Sequence, residues 1–162
     1  MNKKNVLSHL SPEGKVRMVD VGGKPVVARF ARAQGLVKMG AETLKLVASG
    51  SGPKGEVFNA ARLAAIAAAK KTAELIPLCH FLPLSVVEVD LRLDFELSAV
   101  EIETRVRAES RTGVEMEALT AVAAAALTVY DMLNAVDKGM EIASIRLFEK
   151  KKGRPRRQKG LR

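Results

Sequence analysis

The first residue with the right chemistry and placement for a functional role is a lysine in a glycine-rich loop. Lys54 and Gly55 come just before a segment of strong helix formers. Loop amides at a helix N-terminus, together with a lysine charge, favour phosphate groups. A solvated loop lysine has the same sequence signature, and the glycine spacing does not match a P-loop. Lys54 is therefore a candidate for contact with an anionic ligand.

A second candidate is the tripeptide Leu78-Cys79-His80, which directly follows Pro77 at the end of the helical segment. A histidine in a junction loop can exchange protons or bind phosphate near neutral pH. Neighbouring side chains on an extended segment point to opposite sides, which argues against Cys79 and His80 as nucleophile and base. The structural alternative is a cysteine that fills a small gap in the core beside a backbone-bonded histidine.

Two more candidates belong to a single later helix. Glu115-Met116-Glu117 opens that helix, where acidic residues also complement the helix dipole without any further role. Asp131 stands late in the same helix, near the negative end of the dipole and among apolar residues. Aspartate is unfavourable at such a position, so Asp131 has either a functional role or a structural ion pair.

The spacing of these acids predicts where a binding site has to be built. Glu117 and Asp131 are fourteen residues apart, so they lie within about 40° of one helix face but about 21 Å apart along the axis. One small ligand cannot easily contact both in one straight helix. Either the chain has two sites, or neighbouring subunits assemble one site, and we expect the second arrangement.

The clearest of the elements that position these residues is a predicted hairpin, whose two strands alternate apolar and charged side chains. Residues 87–97 and 100–109 alternate apolar and charged side chains, which predicts two antiparallel strands with one packed and one solvated face. The packed face is predicted to hold Val87, Val89, Leu91, Leu93, Phe95, Leu97, Val100, Ile102, Val106 and Ala108.

The remaining segments complete a recognisable order of elements. Long helices are predicted over 56–76 and 114–137, and a last strand over 142–149. Residues 16–39 are predicted to form two short, irregular strands, followed by a short helix over 40–49. This order predicts an α+β, ferredoxin-like fold, in which two long helices pack on one face of an antiparallel sheet.

Composition limits the classes of function. The chain has 162 residues, which fits one domain over 1–149, followed by a basic tail over 150–162 that we expect to be disordered. The tail carries eight cations of a net charge of +9 and leaves +1 for the domain, so the charge does not indicate a nucleic-acid-binding protein. No apolar run approaches the ~20 residues of a membrane span. One cysteine and two histidines exclude a disulfide framework and a zinc site, and favour a cytoplasmic location.

Several blocks together resemble the cyclic pyranopterin monophosphate synthase family of molybdenum cofactor biosynthesis. They are RMVDV at 17–21, the segment 54–80, TGVEMEALTA at 112–121 and AALTVYDM at 125–132, and the resemblance spans residues 7–149. It implies a ferredoxin-like subunit in a hexamer, a trimer of dimers with active sites at the dimer interfaces. The implied reaction converts (8S)-3′,8-cyclo-7,8-dihydroguanosine 5′-triphosphate to cyclic pyranopterin monophosphate and releases diphosphate.

The resemblance also implies roles for individual residues. Asp131 and Lys54 stand at catalytic positions, and Lys24 and Arg29 are further candidates for contact with phosphate. No metal-ligand cluster is visible, although Mg²⁺ could accompany the triphosphate. The positions implied to bind substrate are Leu78, Cys79, His80, Met116 and Glu117.

Three parts of the chain depart from the family pattern. Asn134 stands where a lysine is expected, one helical turn after Asp131, and an amide neither carries charge nor transfers a proton usefully. Phe81 replaces a proline, and Lys151-Lys152-Gly153-Arg154 replaces a Ser-Gly-Gly-Lys ending. An alternative function is therefore a weakened or inactive relative that binds the pterin or guanine nucleotide without converting it.

Overall fold

A computed structural model describes residues 8–49 and 54–155, with only the backbone described at Lys54, Gly55 and Pro155. It confirms the predicted ferredoxin-like α+β class. Most of the loop predicted between the first two helices, residues 50–53, lies outside the described part. The elements are β1 (Val27–Lys38), α1 (Ala41–Ala48), α2 (Lys54–Lys70), α3 (Thr72–Leu75), β2 (Leu84–Asp94), β3 (Ala99–Ser110), α4 (Glu115–Leu133) and β4 (Glu141–Pro155).

The four strands form one sheet in the order β2-β3-β1-β4, and every neighbouring pair is antiparallel. Helix α2 packs on β2, and α4 packs on β1, β3 and β4, so the two long helices lie side by side on the sheet. Alternate residues of β1, namely Ala31, Ala33 and Val37, are fully buried beneath them.

Small side chains allow α4 to approach the sheet closely. Its inner face is formed largely by alanines, and a Cβ atom added to Gly35 of β1 would collide with the side chain of Val122. Within the described residues, α4 is the helix whose length and composition would suffice to cross a membrane. Its apolar face instead contributes to the core, where Ala118, Ala121 and Ala125 are fully buried.

The hairpin turns earlier than the alternation predicts. Strand β2 ends at Asp94, whose carboxylate accepts the N–H of Leu97 at 2.8 Å. Ser98 adopts a φ of 48°, a left-handed conformation that is typical of tight turns. Phe95 and Leu97 therefore lie in the turn and are 63% and 52% exposed, so their predicted place on the packed face is wrong.

The helices also differ from their predicted lengths. The first long helix is interrupted at Lys71, whose φ of −104° and ψ of 11° separate α2 from the short α3. Helix α4 ends at Leu133 rather than at residue 137, and Asn134 follows as its C-cap. The residues that follow form a turn, in which the N–H groups of Val136 and Asp137 both donate to the carbonyl of Leu133.

The last strand is longer than the sequence predicts. Strand β4 continues through Pro155, and Lys150, Lys151 and Lys152 pair with Ala31, Phe30 and Arg29 of β1. The predicted disordered tail is therefore wrong for residues 150–155, while residues 156–162 lie outside the described part. Pairing with β1 provides backbone hydrogen bonds that the run of lysines does not reveal in sequence.

Candidate substrate-binding site

One cavity of about 490 Å³ brings together the residues that the resemblance implies for substrate binding. Its walls come from the loop between α3 and β2, the first turn of α4 and the irregular segment that precedes β1. The volume suits a small-molecule ligand. The predicted site residues that line it are Lys24, Leu78, Cys79, His80, Met116 and Glu117.

The loop that carries Leu78, Cys79 and His80 is a tight turn out of α3. The N–H of Cys79 donates to the carbonyl of Ile76 at 3.0 Å, which turns the chain away from the helix axis before β2 begins. All three residues are half-buried. The turn explains why both Cys79 and His80 line one cavity, although neighbours on an extended strand would point apart.

His80 is fixed by the segment in front of β1. Its Nε2 atom lies 2.8 Å from the carbonyl oxygen of Val19. A carbonyl can only accept, so Nε2 carries the hydrogen and the neutral ring keeps Nδ1 as an acceptor. The backbone-bonded histidine that the sequence left open is therefore present, and the same bond orients a ring that lines the cavity.

Glu117 is the least exposed polar group of the cavity. The residue is 4% exposed, and its Oε2 atom has no hydrogen-bond partner. Burial raises the pKa of this carboxyl to about 7, and the charge of Glu115 adds to the effect. Burial also raises the pKa of the Cys79 thiol, and the nearby Glu117 charge contributes. Glu117 can therefore hold or release a proton near neutral pH.

Two lysines supply positive charge to this acidic cavity. Lys24 lines one side, and Lys150 lines the other, where its Nζ atom lies 3.3 Å from Oε1 of Glu115. The sequence analysis missed Lys150 because it assigned that residue to a tail. The signal that could have found it is the extension of the last alternating segment into the lysine run.

Arg29 lies outside this cavity and supports it through the backbone. Its Nη2 atom donates to the carbonyl of Arg111 at 2.9 Å, and Nε donates to the carbonyl of Ser110 at 3.4 Å. The guanidinium of Arg111 donates in turn to the carbonyl oxygens of Gly22 and Lys24. This chain of contacts ties the segment before β1 to the end of β3, so in this chain Arg29 positions the cavity wall.

That segment also differs from its predicted form. Residues 16–26 form no strand, and their extended pairing is limited to a bridge between Leu10 and Val16. The N–H of Arg17 donates to the carbonyl of His9 at 2.9 Å, which folds the chain back on itself. Ser8 and His9 thereby reach the cavity.

The predicted catalytic residues do not meet in this cavity. Asp131 is exposed near the end of α4, and Asn134 donates from Nδ2 to the carbonyl of Asp131 at 2.8 Å. The rise of the helix separates Asp131 from Glu117 by about 21 Å. Lys54 begins α2, but its side chain lies outside the described residues.

The described residues contain no group of three or more histidine, cysteine, aspartate or glutamate side chains that could hold a metal ion. Basic groups and proton-exchanging groups are instead combined in the one cavity. Fold and cavity together thus define a class of ferredoxin-like proteins with a cavity of small-molecule size, lined by lysines and by a carboxyl whose pKa is about 7.

Comparison with known proteins specifies the family. A model of the MoaC family matches residues 18–153. Three relatives are each named cyclic pyranopterin monophosphate synthase. That of Thermomicrobium roseum is 60% identical over 91% of this chain and 89% of the relative. Those of Pelotomaculum thermopropionicum and Cereibacter sphaeroides are 57% and 55% identical over 91% of this chain, and over 87% and 93% of the relatives. The chain belongs to the MoaC family.

Proposed function

We propose that this protein is a cyclic pyranopterin monophosphate synthase of molybdenum cofactor biosynthesis. Its reaction would convert the cyclised guanosine triphosphate named above to cyclic pyranopterin monophosphate and release diphosphate. The observation that carries the proposal is the cavity lined by His80, Glu117, Lys24 and Lys150, which come from four distant parts of the chain. The names of the relatives, each a cyclic pyranopterin monophosphate synthase, support the same activity.

The groups in the cavity suit the two chemical demands of this reaction. Opening the guanine imidazole ring needs proton transfer, for which the raised pKa of Glu117 and the free Nδ1 of His80 are suited. Forming a cyclic phosphate expels diphosphate, and Lys24 and Lys150 would stabilise the charge that develops on it. Mg²⁺ would enter with the triphosphate rather than bind to a site on the protein.

A second copy of the chain would complete the site. Asp131 lies on the outward stripe of α4 with Leu127, which is 61% exposed, and α2 exposes Leu63 at 70%. An apolar helix face of this kind favours burial against another subunit. We place a dimer contact here, through which Asp131 of one copy would serve the cavity of the other. Three such dimers would form the hexamer, and we expect it in the cytoplasm.

A direct turnover measurement tests the activity. The purified protein is expected to convert the cyclised guanosine triphosphate and release one diphosphate per product. Among the residues that the structure describes, no contact favours the alternative of a non-converting relative. Substrate binding without product formation would nevertheless replace the proposal with that alternative.

The Asn134 position provides a quantitative prediction. Asn134→Lys is expected to raise kcat at least tenfold, because an ammonium one turn from Asp131 can transfer protons and offset charge. Its matched control is Lys138→Asn, an exposed lysine four residues further on, which should leave kcat unchanged. Equal rates for Asn134→Lys and the unmodified chain would show that residue 134 does not contribute to the chemistry.

A further inference from the structure

A smaller hollow, of about 320 Å³, continues the substrate cavity toward the end of β4. Gly113, Glu115 and Lys150 line both spaces, so the two adjoin beside the first turn of α4. The hollow is therefore an extension of the substrate cavity. Its other lining residues are Arg29, Phe30, Lys151 and Lys152.

Strand pairing places three cations of the hollow on one face of the sheet. Lys152 pairs with Arg29, and Lys150 pairs with Ala31, two residues further along each strand. Ala31 is fully buried beneath the helices, so Arg29, Lys150 and Lys152 all lie on the helix side of the sheet. Lys150 and Lys152 are about 7 Å apart along β4. Flexible lysine side chains at this spacing can contact two linked phosphate groups together.

These cations differ in how far their charge is already compensated. The Nζ atom of Lys150 lies 3.3 Å from Oε1 of Glu115. Arg29 donates to two backbone carbonyl oxygens, which hold its guanidinium in place without neutralising it. Among the described residues, no ion pair involves Lys152, whose side chain is exposed beside the hollow. Lys152 therefore keeps its charge for an anionic ligand.

We propose that Lys152 is a specificity-determining residue of the substrate cavity, which binds the phosphate groups that leave as diphosphate. The heterocycle of the substrate lies beside His80 and Glu117, and its phosphate chain passes Lys150 into the hollow. This inference rests on the proposed function, because it assigns the hollow to the leaving group of that reaction. Lys152 belongs to the segment that departs from the family pattern, so the tighter hold on diphosphate is particular to this chain.

Calorimetric titration of the full-length protein with inorganic diphosphate tests the proposal. Lys152→Gln is expected to raise the Kd about tenfold, because one charge-assisted contact is lost. Lys151→Gln is the matched control, which removes the same charge from the neighbouring residue. Lys151 borders the hollow, but its Nζ atom is held on the opposite face of the sheet, 2.6 Å from Glu149. Its loss should therefore change the Kd less than about twofold.

The outcome for Lys152 is independent of the turnover assay, because diphosphate binds without being converted. A tenfold loss in Lys152→Gln alone, with an unchanged urea midpoint, supports the proposal. If turnover is absent in the same protein, the proposed activity fails and the anion-binding role of Lys152 stands. Three results overturn the proposal even in an active enzyme: an unchanged Kd in Lys152→Gln, equal losses in both variants, or no binding at millimolar diphosphate.

Discussion

Replacing Asp131 by asparagine is expected to lower kcat about a thousandfold, within the range that a positioned proton-transfer group contributes. The amide keeps the size of the side chain and removes its ability to exchange a proton. Asp131 is exposed and lies at a helix end, where an isosteric change leaves packing intact. The free energy of unfolding should therefore change by less than about 0.5 kcal/mol. Steady-state turnover and urea unfolding measure the two quantities.

Asp137, six residues later, provides a control with the opposite behaviour. Its carboxylate accepts the backbone N–H groups of Gly40 at 2.7 Å and Gly139 at 2.9 Å, which hold its pKa below the usual range. Asp137→Asn should lower stability above the ordinary carboxyl pKa and leave kcat unchanged. If Asp131→Asn instead reduces stability and retains turnover, Asp131 is a structural residue and its assigned role is wrong.

The second large effect concerns the pH dependence of stability and rests on Glu117. Its folded-state pKa of about 7 exceeds the ordinary 4.5, so the folded protein retains a proton that the unfolded chain releases. Stability from the neutral carboxyl is complete below pH 4.5 and is lost as pH rises through 7. The loss amounts to about 3 kcal/mol, since each pKa unit corresponds to about 1.4 kcal/mol.

Glu117→Gln removes this ionisation and keeps the shape of the side chain. The difference in unfolding free energy, variant minus wild type, should increase by about 3 kcal/mol from pH 4.5 to pH 8. Urea unfolding at several pH values measures it. Glu56→Gln, an exposed glutamate in the first turn of α2, should give a difference that stays flat over this range. If the difference in unfolding free energy is flat for Glu117→Gln as well, the Glu117 carboxyl titrates as an exposed carboxyl does.

The sequence predicted the fold wherever hydrophobic periodicity is strong. Alternation located β2 and β3 to within a few residues, and Val100, Ile102 and Val106 are buried as predicted. Periodicity fails where pairing partners decide the structure. The lysines of β4 form a strand because they pair with the edge of β1. The segment before β1 takes its shape from the contacts of its carbonyl groups with His80 and Arg111.

Burial of charge is the other property that local pattern does not reveal. Glu103 belongs to the predicted solvated face of β3, but it is only 6% exposed because Arg32, Arg105 and Gln34 surround its carboxylate. The same holds in the cavity, where the sequence left open whether Glu117 is a site residue or only complements the helix dipole, and did not indicate that its carboxyl is buried. Glu117 and the loop at His80 line one cavity because of long-range packing. The sequence indicated this shared site only through its resemblance to a known family.

A mixed-subunit experiment tests the central claim that two copies of the chain share each active site. His80→Asn and Asp131→Asn variants are prepared separately and then co-assembled in equal amounts. In a shared site, half of random dimers are mixed, and each mixed dimer has one site with both groups intact. Activity should therefore recover to about a quarter of the wild-type value. Activity that stays at the level of the separate variants would place His80 and Asp131 in a site of one chain and contradict the account.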